Sequence, residues 1–144
     1  MEEIEMMKAL IAYTRERALE NRTFTGAFVV RDGEVIWKDI TFTEPDRNPL
    51  AHAELKAVQG TITHYGPKLK GCHLYTTQQP CPMCASAIVW SGIEKVIYGM
   101  PSSYQWKTFD HIQEFFADLG IECVGPVLEE QCKGIDEYLV ANGI

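Results

Sequence analysis

The sequence predicts an α/β fold: one domain over residues 1–144, built on a mainly parallel sheet with helices on both faces and an antiparallel hairpin near its start. Three observations lead there. The first is length. A chain of 144 residues matches one domain of common size and can bury a core without staples. The second is alternation. From residue 51 onward, helix-like and strand-like segments take turns, the pattern of strand–helix–strand units with a covered parallel sheet. The third is an early pair of short apolar runs joined by Asp32-Gly33, a hairpin signal.

Taken in order, residues 3–20 carry Ile4, Met7, Leu10, Ile11, Thr14, Ala18 and Leu19 at helical spacing, one stripe that faces a core. Gly26–Arg31 and the run VIWKDI that follows the turn form the two hairpin strands. Residues 41–50 hold two prolines and read as a loop. Ala51 to about His64 is rich in helix formers. The segment HLYTT reads as a strand, and CASAIVW as a helix with Pro82 in its first turn. KVIYG is a strand, 108–119 a helix, IECVG a strand and 129–141 a last helix. In such sheets ligands bind beyond the carboxyl ends of the strands.

Composition narrows the function classes. No apolar run nears the ~20 residues of a membrane span, and the start MEEIEMMKAL is acidic with no secretory h-region. The expected location is the cytoplasm. Five cysteines cannot all pair internally, and in a reducing compartment they serve metals, catalysis or packing. The formal net charge of −7 comes without any block of Lys or Arg. Nucleic-acid binding depends on such blocks, so the expected partner is a small molecule and not a nucleic acid or a membrane.

Two short motifs carry the chemistry. His52-Ala53-Glu54 opens one helix, and Pro80-Cys81-Pro82-Met83-Cys84 opens another, with Cys81 standing 29 positions after His52. A Cys-x-x-Cys pair at a helix start grips one ion with both sulfurs, and the positive helix end favours the thiolates. One His and two Cys suit zinc, and three ligands leave a fourth tetrahedral position for water, as in a catalytic zinc. Replacing an amino group by water also needs a proton carrier. Glu54 serves if it stands beside the metal without binding it. In mid-helix His52 and Glu54 would lie roughly 200° apart, so both can face the ion only in the first turn. The joint pattern H-x-E…P-C-x-x-C is that of zinc deaminases. A purely structural zinc remains the alternative. It needs a fourth ligand, with Cys72, Cys123, His64, His73 and His111 as suppliers.

At these residues the sequence resembles the cytidine/deoxycytidylate deaminase superfamily, in particular its branch of guanine, cytosine and tRNA adenosine deaminases. The resemblance runs over residues about 3–100 and includes Gly26-Ala27, N-P-L-A-H-A-E at 48–54, L-Y-T-T at 74–77 and P-C-P-M-C-A-S-A-I at 80–88. It implies an α/β/α sandwich around a five-stranded mixed sheet. It implies zinc on His52, Cys81 and Cys84, proton transfer by Glu54, and a backbone N–H of Ala53 that touches the substrate base. Family members are commonly dimers or tetramers, so a homodimer is expected. One departure concerns the substrate. The branch usually carries an Asn about eleven residues before the metal His, in contact with substrate, and Thr41 stands there. A hydroxyl is shorter and offers fewer hydrogen bonds than an amide.

Trp90 resembles the aromatic found at that place in guanine deaminases, and fits a core side chain of helix 82–91 as well. Phe109-Asp110-His111 loosely resembles a Phe-Asp-Asp of guanine deaminases, in which an acid reads the base; a surface Asp at a helix start is the plain alternative. Phe24 and Trp106 have faces on which a base can stack. Cys72, Cys123 and Cys132 lie in apolar segments, the setting of inert buried thiols. The expected function is hydrolytic deamination of an amino-substituted nucleobase, nucleoside or related heterocycle, guanine deaminase-like, with release of ammonia. The alternatives are a tRNA-specific adenosine deaminase and a non-catalytic zinc-stabilised module. The tail 125–144 is acidic and ends on an apolar stretch, unlike the basic tail helix of typical tRNA enzymes.

Overall fold

The computed structural model describes residues 2–43, 46–102 and 111–143. Within them the order is α1 (Glu2–Asn21), β1 (Gly26–Arg31), β2 (Glu34–Ile40), α2 (Ala53–Tyr65), β3 (Cys72–Gln78), α3 (Pro82–Ser91), β4 (Lys95–Met100), α4 (Ile112–Asp118), β5 (Glu122–Val124) and α5 (Glu129–Ala141). The five strands form one mixed sheet in the order β2-β1-β3-β4-β5. β1 runs antiparallel to both β2 and β3, while β3, β4 and β5 are parallel. The predicted fold class and element order hold.

Two apolar layers sandwich this sheet. On one face Met7 and Leu10 of α1 and Cys132 of α5 pack on Phe28, Val30, Tyr75 and Ile97. On the other, Ala57 and Val58 of α2, Ile88 of α3 and Phe116 of α4 pack on Ala27, Val29, Leu74 and Val96. Successive residues of β1 and β3 thus alternate between layers, the period-2 consequence of strand geometry. The α1 stripe is narrower than predicted: Met7, Leu10, Thr14 and Ala18 are buried, whereas Ile4 is 40% exposed. Gly26 is where α1 and the sheet meet most closely, since a Cβ there would run into the Thr14 hydroxyl.

The start of α2 corrects the sequence reading. The helix begins at Ala53, not Ala51, because His52 keeps an extended backbone (φ −78°, ψ 147°) as the N-cap. Cys81 does the same ahead of α3 (φ −73°, ψ 169°), with Pro82 in the first turn. The carboxyl ends of β2 and β3 and the amino end of the antiparallel β1 lie on one edge of the sheet. The α2 and α3 N-termini follow that edge.

Candidate active site

His52, Cys81 and Cys84 converge at the two helix starts. The Nδ1 of His52 lies 3.6 Å from Cys81 Sγ and 3.6 Å from Cys84 Sγ, and the three ligand atoms all fall within 4.8 Å of one another. A tetrahedral zinc with roughly 2.05 Å to nitrogen and about 2.3 Å to sulfur separates N and S by about 3.5 Å, so the donor set fits that ion in kind and in spacing. Among the described residues no other group of His, Cys, Asp or Glu has this closeness. Cys72, Cys123, His64, His73 and His111 are not among these converging donors; three protein donors are the number that a catalytic zinc carries.

The electrostatics of the three are coupled. Cys81 is pushed well below the usual thiol range, first by the hydrogen bond from Cys84 and then by His52. Cys84 is pushed up by that same hydrogen bond and by burial. His52 is raised, chiefly by its hydrogen bond to Cys81, with a smaller contribution from the Pro49 carbonyl. One negative sulfur between a second thiol and an imidazole is the state that a cation stabilises.

Glu54 sits one residue past Ala53, in the first turn of α2 and 3% exposed. Its Oε1 has no hydrogen-bond partner, a rare state for a buried carboxylate oxygen. Burial raises its carboxyl to about 7, against the lowering influence of its own backbone N–H. It is not one of the three converging ligands. A buried carboxyl with an unclaimed oxygen, beside a cation site and titrating near neutrality, is equipped to carry protons.

Glu54, His52 and Cys81 face a cleft of about 160 Å³ whose wall includes Arg22, Thr23, Phe24, Thr25, Thr41, Thr43, Gln78, Gln79 and Ser102. A cavity of about 150 Å³ holds one benzene ring, so the cleft suits a small flat ring. Thr41 and Phe24 are on its wall, where the sequence reading put contacts to a base. The Thr41 Oγ1, however, already accepts the N–H of Ala53 at 3.1 Å, so the backbone donor expected to meet a substrate has a partner within the chain. Trp90 is 81% exposed, so the expectation of a core side chain gives way: α3 turns it outward, and it is not among the residues lining the cleft. Asp110 and Trp106 lie outside the described residues.

Several wall residues went unread in the sequence. Thr25 donates from its hydroxyl to Gln78 Oε1 at 3.1 Å, both being buried. Gln78 and Gln79 directly precede the Pro-Cys motif, and the rule that ligands sit beyond strand carboxyl ends was the available signal. Cys123 and Cys132 stay apart from the site, each thiol pushed up to about 12 by burial.

Comparisons with known proteins agree with this geometry. Residues 1–100 match the family model described as the cytidine and deoxycytidylate deaminase zinc-binding region. The chain is 32% identical over 133 residues to a tRNA-specific adenosine deaminase of Bacillus subtilis (strain 168), covering 90% of this chain and 83% of that protein. It is 38% identical over 96 residues to a guanine deaminase of the same organism, covering 59% and 62% respectively. The solved structure of a guanine deaminase from Nitrosomonas europaea superposes with a TM-score of 0.74 at 21% identity, covering 92% of this chain and 84% of that one; this likeness is one of fold.

Proposed function

The chain belongs to the cytidine and deoxycytidylate deaminase family of zinc-dependent enzymes acting on C–N bonds, and from that premise we propose that it hydrolyses the amino group of a free nucleobase, nucleoside or related heterocycle, with guanine-like rings as the leading class. The observation that carries the reading is the buried, unpartnered Oε1 of Glu54 in a cleft wall shared with His52 and Cys81.

His52, Cys81 and Cys84 would hold the metal. Zinc bound there supplies Lewis acidity that lowers the pKa of water to roughly 7. Glu54 takes a proton from the attacking water and delivers it to the ring nitrogen; it then takes the second proton from the newly added hydroxyl and gives it to the departing amine. A C–O bond forms at the amino-bearing carbon, the C–N bond breaks, and ammonia leaves with the carbonyl product. Phe24 offers a ring face to a flat substrate. The hydroxyls and amides of Thr25, Thr41 and Gln78 line the wall together with Arg22, polar groups for the edge of a heterocycle.

A free base is favoured over a tRNA loop by the net charge of −7, since gripping RNA needs a basic flank. The tRNA reading keeps one specific support, the 32% identity to the Bacillus tRNA-specific enzyme over 90% of the chain. The same proposal includes a single domain over residues 1–144, a cytoplasmic location and a homodimer. Free cysteines support the second and the exposed Trp90 and Val140 the third. No described helix is long and apolar enough to cross a membrane. The deciding experiment screens the zinc-loaded protein for ammonia release from guanine, cytosine, adenine, their nucleosides, pterins and aminotriazines, beside tRNA binding across a salt series. Turnover of a free heterocycle with no salt-dependent tRNA binding is expected. Inosine formation in tRNA with no free heterocycle consumed would overturn the small-molecule assignment.

A further inference from the structure

A helix leaves its first N–H groups without intrahelical partners, and the N-cap side chain ordinarily accepts one of them. In α2 that position is held by His52, whose ring turns to the two cysteines and makes no cap hydrogen bond. The residue after it, Ala53, is fully buried, so water cannot serve its N–H. The acceptor comes from another segment. Thr41 Oγ1, twelve residues earlier in the chain, takes the Ala53 N–H at 3.1 Å.

Thr41 is itself held from three sides. Its own N–H donates to the Thr25 carbonyl at 3.0 Å, and the next N–H, that of Phe42, donates to the Ala51 carbonyl at 2.8 Å. Just before it, Lys56 of α2 donates to the Ile40 carbonyl at 3.3 Å and pairs with Asp39 at 3.1 Å. The end of β2 is thus fastened both to β1 and to the helix whose first residues bracket the metal site.

We infer that Thr41 is a positioning residue: its hydroxyl oxygen takes the first N–H of α2, and through Ala53 holds His52 and Glu54 in register with Cys81 and Cys84. This rests on the reading of His52, Cys81 and Cys84 as a metal site. The buried Ala53 N–H thus has a partner without recruiting the imidazole, whose Nδ1 lies against the two sulfurs. The same hydrogen bond shifts the Ala53 N–H from the cleft to the scaffold.

The test compares wild type, Thr41→Val and Thr41→Ser. Val keeps the shape and deletes the oxygen; Ser keeps the oxygen. Three quantities are read: zinc transfer to excess chromophoric chelator, the visible spectrum of the cobalt-substituted protein, and hydrogen exchange at the Ala53 amide. Residues that orient metal ligands typically alter affinity ~10–100-fold, so Thr41→Val should release zinc about tenfold faster or more, shift the cobalt bands and expose the Ala53 amide. Thr41→Ser should restore all three. Wild-type release rate and spectrum in Thr41→Val would overturn the inference, as would a folded Thr41→Ser as impaired as Thr41→Val. If Thr41→Val fails to fold, exchange in the wild type decides: a slowly exchanging Ala53 amide supports the cap, and rapid exchange overturns it. A wild type that binds no stoichiometric zinc or cobalt overturns the metal-site reading itself. Normal metal binding with an indifferent Thr41→Val overturns the role of Thr41 alone.

Discussion

His52 and Cys84 stand 32 residues apart in the chain, yet the imidazole Nδ1 of one lies 3.6 Å from the sulfur of the other. The contact joins the starts of α2 and α3. Each helix needs an extended N-cap residue, and His52 and Cys81 occupy those two positions. Helix capping and metal coordination therefore use the same backbone geometry.

Glu54→Gln should keep the metal and lose turnover. The amide preserves the shape but cannot shuttle a proton. The expected loss in ammonia release is ~10²–10⁴-fold, with zinc content by elemental analysis equal to wild type. Full activity in this variant would remove Glu54 from the mechanism.

Cys81→Ala should lose the metal together with the activity, because a coordinating sulfur is gone. Binding to the folded state alone stabilises by about 2.7 kcal/mol at a free zinc concentration of 100 Kd. Thermal melts should therefore show wild type rising with added zinc and Cys81→Ala staying flat. A zinc-dependent rise in the variant would mean that the ion binds elsewhere.

Thiol reactivity should single out one cysteine in the metal-free protein. Cys81 is pushed down by Cys84 and His52, so it is thiolate at neutral pH. Cys123 and Cys132, raised to about 12 by burial, stay protonated until pH approaches that value, and the thiolate is the nucleophile. Mass-spectrometric mapping after alkylation at pH 7 should find label on Cys81 far ahead of those two. Bound zinc should suppress it. Equal labelling of Cys81 and Cys132 would contradict the assignment.

Two glycine substitutions should differ in sign. In Gly26→Ala the new methyl meets the Thr14 hydroxyl and forces α1 from the sheet, a cost of ~1–3 kcal/mol. Gly134 lies inside α5, and a methyl there meets nothing within 4 Å. Gly134→Ala should stabilise by about 0.5–1 kcal/mol, since glycine is entropically costly within a helix. Urea midpoints measure both, and a stabilised Gly26→Ala would show that α1 does not pack as described.

Much of the fold was readable because its signals are local. The hairpin around Asp32-Gly33, Pro82 in the first turn of α3 and the strand HLYTT are each decided within a few residues. The boundary at Ala51 was misplaced because propensity cannot sense that His52 is held extended by its contacts. The core reading of Trp90 failed for a related reason. An apolar side chain on an apolar helix predicts burial, but the sheet covers only one side of α3, and Trp90 is on the other.

By itself the sequence named the three side chains that converge and the carboxyl that shares their cleft wall, since H-x-E and P-C-x-x-C state which donors open two helices. It also determined the element order, which follows from hydrophobic period. Only the tertiary structure decided that those two helix starts share one edge of the sheet, that Thr25, Gln78 and Phe24 wall the cleft, and that Thr41 caps Ala53. Those facts depend on strand order and on hydrogen bonds between distant segments. A linear pattern records what each residue can do, whereas its partners are chosen by the packing of the whole chain.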